Sequence, residues 1–245
     1  KKCQIFSLRQ APGHEKDKKM KSGIKQDKIT KSEQTRSKIE YRFLNMIPSK
    51  QWDKISVKEL CEKCKITRGT FYLYFNDIYD LMEQIETRLL EDISERLSAI
   101  APCEARGSVP CILEAGFDCT APPALFAWFE FCRDHKTAIF ALLDPKFGDP
   151  YFVKRLKVIL EESLNVMMDQ DGMPRDELRT HFLKLMLEMH FLSARTWLAS
   201  PEGDFLSVDD IIHLLNAIRI GANYQHYKYD TEQINPRQIS RDAKT

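Results

Sequence analysis

Thr67, Arg68, Gly69 and Thr70 stand in a row, and Tyr72 and Tyr74 follow at alternate positions. Hydroxyls and a guanidinium at that spacing suit contact with a nucleic acid. Arg68 can grip a guanine edge or a phosphate through parallel N–H donors. Tyr72 and Tyr74 carry hydroxyls that reach phosphate oxygens. The small Thr67, Gly69 and Thr70 let the backbone come close to a DNA groove. Phe71 and Phe75, four residues apart, share one helical face and belong to a core instead.

Other residue types invite other chemistry. Cys61-x-x-Cys64 has the spacing of half a zinc site or a redox pair, but no second pair stands nearby, and both cysteines fall on the inner face of a helix. Core packing is the reading that fits. His181, Glu188 and His190 share one segment. A nine-residue separation on a helix puts the two histidines about 13 Å apart, too far for one metal ion. Cys103, Cys111 and Cys119 recur every eight residues in a loop-rich stretch, a spacing that leaves a thiol-based sensor conceivable. The chain contains no G-x-S-x-G, P-loop, H-E-x-x-H or G-x-G-x-x-G. It therefore reads as a non-enzyme, with no cofactor and no metal expected.

The elements that must position Thr67–Tyr74 can be traced from capping and periodicity. Ile39, Phe43, Met46 and Ile47 lie on one helical face, which Pro48 ends. Ser56-Val57-Lys58-Glu59 has the form of a capping box, and Ile55 and Leu60 sit where a hydrophobic staple would. Val57, Leu60, Cys61 and Cys64 form the inner face of a short helix. After a tight turn at Lys65-Ile66, Thr67 is an N-cap, and Ile66 and Phe71 make a second staple. Asn76 is the expected cap of a long helix whose stripe is Ile78, Leu81, Met82, Ile85, Leu89, Ile93 and Leu97. Further helices are expected from Pro122 to about Leu143, over Tyr151–Met168, over Arg175–Ala199 and over Ser207–Tyr227. Residues 101–121 read as a loop around a short helix.

Composition supports a helical, soluble chain. Of 245 residues, 43% are hydrophobic, enough for a core, and only nine are glycine. The net charge of +1 hides a division. Residues 1–75 hold 19 Lys and Arg against 8 Asp and Glu, and residues 76–245 hold 18 against 28. A basic N-terminal part on an acidic body points to a polyanion at one end. No apolar run approaches a membrane span, and the odd count of seven cysteines suits a reduced, cytoplasmic setting.

The segment Ser56–Leu81, SVKELCEKCKITRGTFYLYFNDIYDL, resembles the DNA-binding domain of TetR-type (AcrR-like) transcriptional regulators. Thr35-Arg36-Ser37-Lys38-Ile39 resembles the start of their first helix, and the likeness runs over about residues 33–95. It implies an all-α fold: a basic extension at 1–31, a three-helix helix-turn-helix domain at 32–77, a helical regulatory and dimerisation domain at 78–229 and a polar tail at 230–245. It implies DNA contacts at Thr35, Arg36, Ser56, Lys65, Thr67, Arg68, Gly69, Thr70, Tyr72 and Tyr74. Two positions depart from the pattern. Lys65 stands where a turn glycine is common, and Ile78 where a phosphate-binding lysine is common. Asn76 or the backbone amides of 76–78 could supply that contact instead.

The same resemblance implies a homodimer through 175–199 and 207–227, on a palindromic double-stranded operator. It implies a repressor released by a small molecule. The aromatic run Phe126–Phe140 and the apolar segment after Arg175 offer Phe126, Phe129, Cys132, Met167, Phe182, Met186 and His190 as candidate pocket residues. An adaptor that keeps the fold for protein contacts, and a thiol- or metal-responsive regulator, stand as alternatives.

Overall fold

A computed structural model describes residues 30–100, 121–170, 173–200 and 206–221. Among these residues the fold is all-α, with nine α-helices and no strand. The basic extension expected before residue 30, most of the loop expected at 101–121, the expected break at 201–205, the expected end of the last helix and the polar tail lie outside the described residues.

Helix α1 spans Lys31–Leu44. Its capping box is formed by Thr30 and Glu33: the Glu33 N–H donates to Thr30 Oγ1 at 3.2 Å, and the Thr30 N–H donates to Glu33 Oε2 at 2.7 Å. Pro48 does not end α1 but sits in a separate 3-10 turn at Ile47–Ser49. Helix α2 is Val57–Cys64 and α3 is Arg68–Tyr72. Ile39, Phe43, Leu60, Cys64, Phe71 and Phe75 bury together as the core that holds these three.

Helix α4, Ile78–Ser98, starts on Asp77 rather than Asn76: Asp77 Oδ1 accepts from the Asp80 N–H at 2.8 Å. The expected stripe of α4 is buried from Ile78 to Ile93. The single helix expected over 122–143 is two, α5 (Pro123–Asp134) and α6 (Lys136–Leu142), joined at His135, whose ψ of 29° leaves the helical region. His135 Nε2 lies 2.6 Å from Asp92 of α4, which holds that bend.

The turn from α6 into α7 (Pro150–Gln170) is tight. A Cβ at Gly148 would stand 2.3 Å from the Leu142 carbonyl oxygen, so only glycine lets the chain pass. Asp149 then caps α7, accepting from the Tyr151 and Phe152 N–H groups at 2.6 and 3.3 Å. Helix α8 is Glu177–Leu198. Its junction with α7 is held by Arg179, which is 4% exposed and donates to Asp169 Oδ1, to the Asn165 and Met173 carbonyls and to Asn165 Oδ1. Hydrogen bonds from Arg175, then from Arg179, pull the Asp169 pKa down to about 2. A last helix, α9, covers 208–221.

One buried group works against the packing. Glu86 of α4 is 6% exposed, and its Oε1 has no hydrogen-bond partner. Burial, then the neighbouring Asp149 carboxylate, raise its acid to about 7 from 4.5; Arg155, 3.7 Å from Oε2, opposes them and Glu83 adds to them. Between pH 4.5 and about 7 the unfolded chain sheds a proton that the folded chain keeps. Stability therefore falls as pH rises through that window. Glu86→Gln, which mimics the protonated acid, is expected to stabilise the fold at pH 8 by on the order of 1–3 kcal/mol and to lose that advantage at pH 4.5. Urea denaturation at both pH values measures this. A variant weaker than the wild type at pH 8 would show that the Arg155 pairing outweighs the burial.

Candidate nucleic-acid interface

Helices α2 and α3 meet at a left-handed residue. Lys65 has φ 52° and ψ 50°. The Ile66 N–H donates to the Cys61 carbonyl at 3.1 Å and the Lys65 N–H to the Glu62 carbonyl at 3.2 Å. This pair of bonds is a Schellman motif, which closes the carbonyl end of α2 and turns the chain into α3. A side chain at such a φ costs something that glycine avoids. The residue-type departure noted at Lys65 is thus a real conformational cost, placed on an exposed position.

The N-terminal turn of α3 is built from hydroxyls. Thr67 Oγ1 accepts from the Thr70 N–H at 3.1 Å and lies 2.9 Å from Thr70 Oγ1. Thr67, Arg68 and Gly69 are exposed and Thr70 is half-buried. Phe71 and Phe75, with centroids 5.6 Å apart, anchor the other face. Tyr72 is 56% exposed, and Leu73 is 79% exposed. Tyr74 is half-buried beside Phe75. A Cβ at Gly69 would sit 3.8 Å from Thr67 Oγ1, ordinary contact. Nothing inside the protein requires glycine at that place.

Ser56 is exposed, and its Oγ accepts from the Glu59 N–H at 3.2 Å. The return half of the expected box is replaced: Glu59 instead pairs with Lys50 at 2.8 Å. Thr35 Oγ1 donates to the Lys31 carbonyl on α1. Arg36 is engaged inside the protein. It donates to Glu40 at 3.1 Å and to Gln84 of α4 at 2.6 Å, and lies 5.8 Å over the Phe75 ring. Ser56, Lys65, Thr67, Arg68, Gly69 and Tyr72 are thus exposed and Thr70 half-buried, while Arg36 braces α1 against α4.

The start of α4 is acidic. Ile78 is buried, and Asp77 and Asp80 flank it. The Asn76 N–H, one of the amides expected to replace the missing lysine contact, donates to Asp80 Oδ2 at 2.6 Å. That bond holds the Asp80 carboxyl below the ordinary range. Leu73 escaped the sequence reading. The signal was present: with Phe71 and Phe75 inward, the residue midway between them must point out.

The candidate pocket residues separate. Phe126 is exposed, Phe182 half-buried, and Phe129, Cys132 and Met186 are core. Met167 and His190 line a small void with Trp128, and Met167 also lines a cavity of about 420 Å³ between α4, α5 and α7. Trp128, Ser163 and Leu97 were missed, because nothing in an apolar periodic run marks which member borders a void. A third groove along α7 and α8 holds Asp169, Arg175 and Arg179, charges already paired with one another. The Cys61 and Cys64 thiols are pushed up by burial, which disfavours the thiolate. Cys103, Cys111 and Cys119 lie outside the described residues. Among the described residues, no cluster of three His, Cys, Asp or Glu could hold a metal ion, and no helix is long and apolar enough to cross a membrane.

This arrangement of helices is the fold of TetR-type transcriptional regulators. A putative TetR-family transcriptional regulator from Syntrophomonas wolfei superposes with a TM-score of 0.52 at 14% identity, over 79% of this chain and 97% of that one. A probable transcriptional regulatory protein superposes at 0.51 and 15% identity, over 76% of this chain and 97% of its own. No protein-family model and no curated protein matches the chain.

Lys65 gives a direct check on the turn. Lys65→Gly is expected to stabilise the fold by about 0.5–1 kcal/mol, read as a higher denaturation midpoint. A lower midpoint would mean that the lysine side chain holds the turn.

Proposed function

We propose that this chain is a DNA-binding transcriptional regulator that acts as a homodimer and lets go of its operator when a small molecule enters its helical body. In this reading residues 32–77 bind DNA and residues 78–229 dimerise and sense. The observation that carries it is the outward turn of α3: Thr67, Arg68 and Gly69 exposed, with Phe71 and Phe75 locked inward. A helix so anchored presents its N-terminal residues to a major groove, and its cap positions the backbone. Arg68 reads a guanine or a phosphate, Thr70 and Tyr72 add hydroxyls, and Leu73 offers an apolar surface to a thymine methyl group. The shared fold supports the same reading.

A second copy of the chain is the proposed partner of α8 and α9. Leu178, Phe182, Leu185, Met189 and Leu192 recur at alternating spacings of four and three along α8. Leu178, Leu185 and Leu192 are more than half exposed, and Leu214 of α9 is too. Such a stripe is the seam of a helical bundle awaiting its other half. Two-fold pairing would set two α3 helices about 34 Å apart, facing successive grooves of a palindrome.

The acidic start of α4 favours a second reading, an adaptor that has kept the fold and lost specific DNA binding. Asp77 and Asp80 would repel the phosphate that the missing lysine would attract. Selection from a random-sequence DNA pool separates the two. An enriched palindrome supports the regulator, and none supports the adaptor.

Two sets of variants sharpen the test. Gly69→Ala is expected to leave stability equal or higher, since alanine favours a helix by about 1 kcal/mol, yet to weaken binding to the selected DNA by about tenfold or more. Arg68→Ala should cost ~1–3 kcal/mol of binding. Unchanged affinity in both, by fluorescence anisotropy, would remove α3 from the interface. Leu185→Glu combined with Leu192→Glu should yield a folded monomer in sedimentation and weaken operator binding. A dimer that persists would place the interface elsewhere.

A further inference from the structure

Three buried side-chain polar atoms have no hydrogen-bond partner among the described residues: Glu86 Oε1, Trp128 Nε1 and His190 Nε2. The last two belong to residues that line one void, of about 20 Å³. Leaving a donor and an acceptor buried and unmatched is costly. A folded protein keeps such a pair where something fills the gap.

Trp128, His190 and Ser163 are the lining residues with polar side chains, and the first two leave a polar atom unmatched. His190 Nδ1 is 2.6 Å from the Met186 carbonyl oxygen, which can only accept. The proton of the ring is therefore on Nδ1. Burial pulls the His190 pKa below its ordinary value, which keeps the ring neutral, so Nε2 offers a lone pair. The indole Trp128 Nε1 can only donate. A group that satisfies both must accept one hydrogen bond and donate another. A hydroxyl does both. A carboxylate cannot donate to Nε2, and an ammonium cannot accept from the indole. Among the described lining residues there is no lysine or arginine to neutralise an anion.

The void does not stand alone. Leu97, Ala124, Ser163 and Met167 form its wall and also line the cavity of about 420 Å³. That larger space is faced mainly by apolar groups, among them Ile100, Ile159 and Val166. Its size falls in the range of small-molecule sites. A single water suits the void by volume. A ligand hydroxyl that displaces it keeps both hydrogen bonds and adds the burial of an apolar body next door.

We propose that Trp128 and His190 form the head-group subsite for a small apolar ligand ending in a neutral hydroxyl, whose body occupies the adjoining cavity between α4, α5 and α7. This rests on the ligand-responsive reading above and names the class of molecule.

The test uses the full-length protein and five probes: 4-butylphenol, 1-octanol, 4-butylanisole, octanoate and octylamine. The three tryptophans give three indole N–H resonances in a nitrogen-15 spectrum, and loss of one in Trp128→Phe assigns it. The phenol and the alcohol are expected to shift the Trp128 resonance and to bind at least tenfold more tightly than the other three by calorimetry. His190→Phe should erase that preference while 4-butylanisole binds as before. If His190→Phe fails to fold, the probe ranking and the Trp128 shift in the wild type decide alone. Equal binding of all five, tighter octanoate, or binding with no Trp128 shift overturns the proposal, as does no binding, which means a structural water only. Should the phenol bind and shift Trp128 without weakening the DNA complex, the subsite stands and the release reading fails. Should another compound release DNA while both hydroxyl probes fail to bind, the reverse holds.

Discussion

Helix α4 runs 21 residues, and a helix of that length is held in place by what its apolar face buries. Its first two turns, through Ile78, Leu81 and Met82, complete the core beneath α3. Its last turns, through Leu97 and Ser98, wall the cavity against α5 and α7. One rigid rod therefore carries the packing of both ends of the molecule. Side chains reinforce each end: Arg36 and Glu40 of α1 reach Gln84 and Arg88, and Asp92 and Arg96 reach His135 and Asp134. Most of these pairs are partly exposed, and each contributes little beside the buried apolar face.

The exposed face of α3 shows a similar economy. α3 has five residues, too few to be stable alone. It persists because Thr67 caps it, the Schellman turn at Lys65 delivers the chain to it, and Phe71 and Phe75 sink into the core. Among the outward positions, packing leaves some residue choices open. Gly69 shows this most clearly, since the fold has room for a larger residue there.

Much of this was legible in the sequence because capping and periodicity are local. Ser56 and Thr67 announced α2 and α3, and the α4 stripe announced its buried face. What stayed hidden depended on contacts distant in sequence. Glu59 turned to Lys50, nine residues back, and Arg36 to Gln84, 48 residues on. The bend at His135 rests on Asp92, and no local breaker residue marks it. Asp77 displaced Asn76 as the cap of α4, a choice between adjacent residues that both favour the position. The pocket was least legible: Phe126, an aromatic in an aromatic run, faces solvent, while Trp128, two residues on, borders the void. Helical phase separates them by about 200°, but phase alone does not say which face meets a gap.

The position of α4 also limits how the two ends can communicate. A ligand in the cavity would act on Leu97 and Ser98, some 30 Å along the helix from the α3 core. It could shift the presentation of α3 only by favouring one tilt of α4 over another. The buried Glu86 lies between these ends, facing Asp149 at the start of α7 with an unmatched oxygen. A well-packed apolar residue there would hold α4 against α7 more firmly. Keeping an acid in that place weakens the junction through which any tilt must pass. The same carboxylate that costs stability therefore also loosens the hold of α4 on α7.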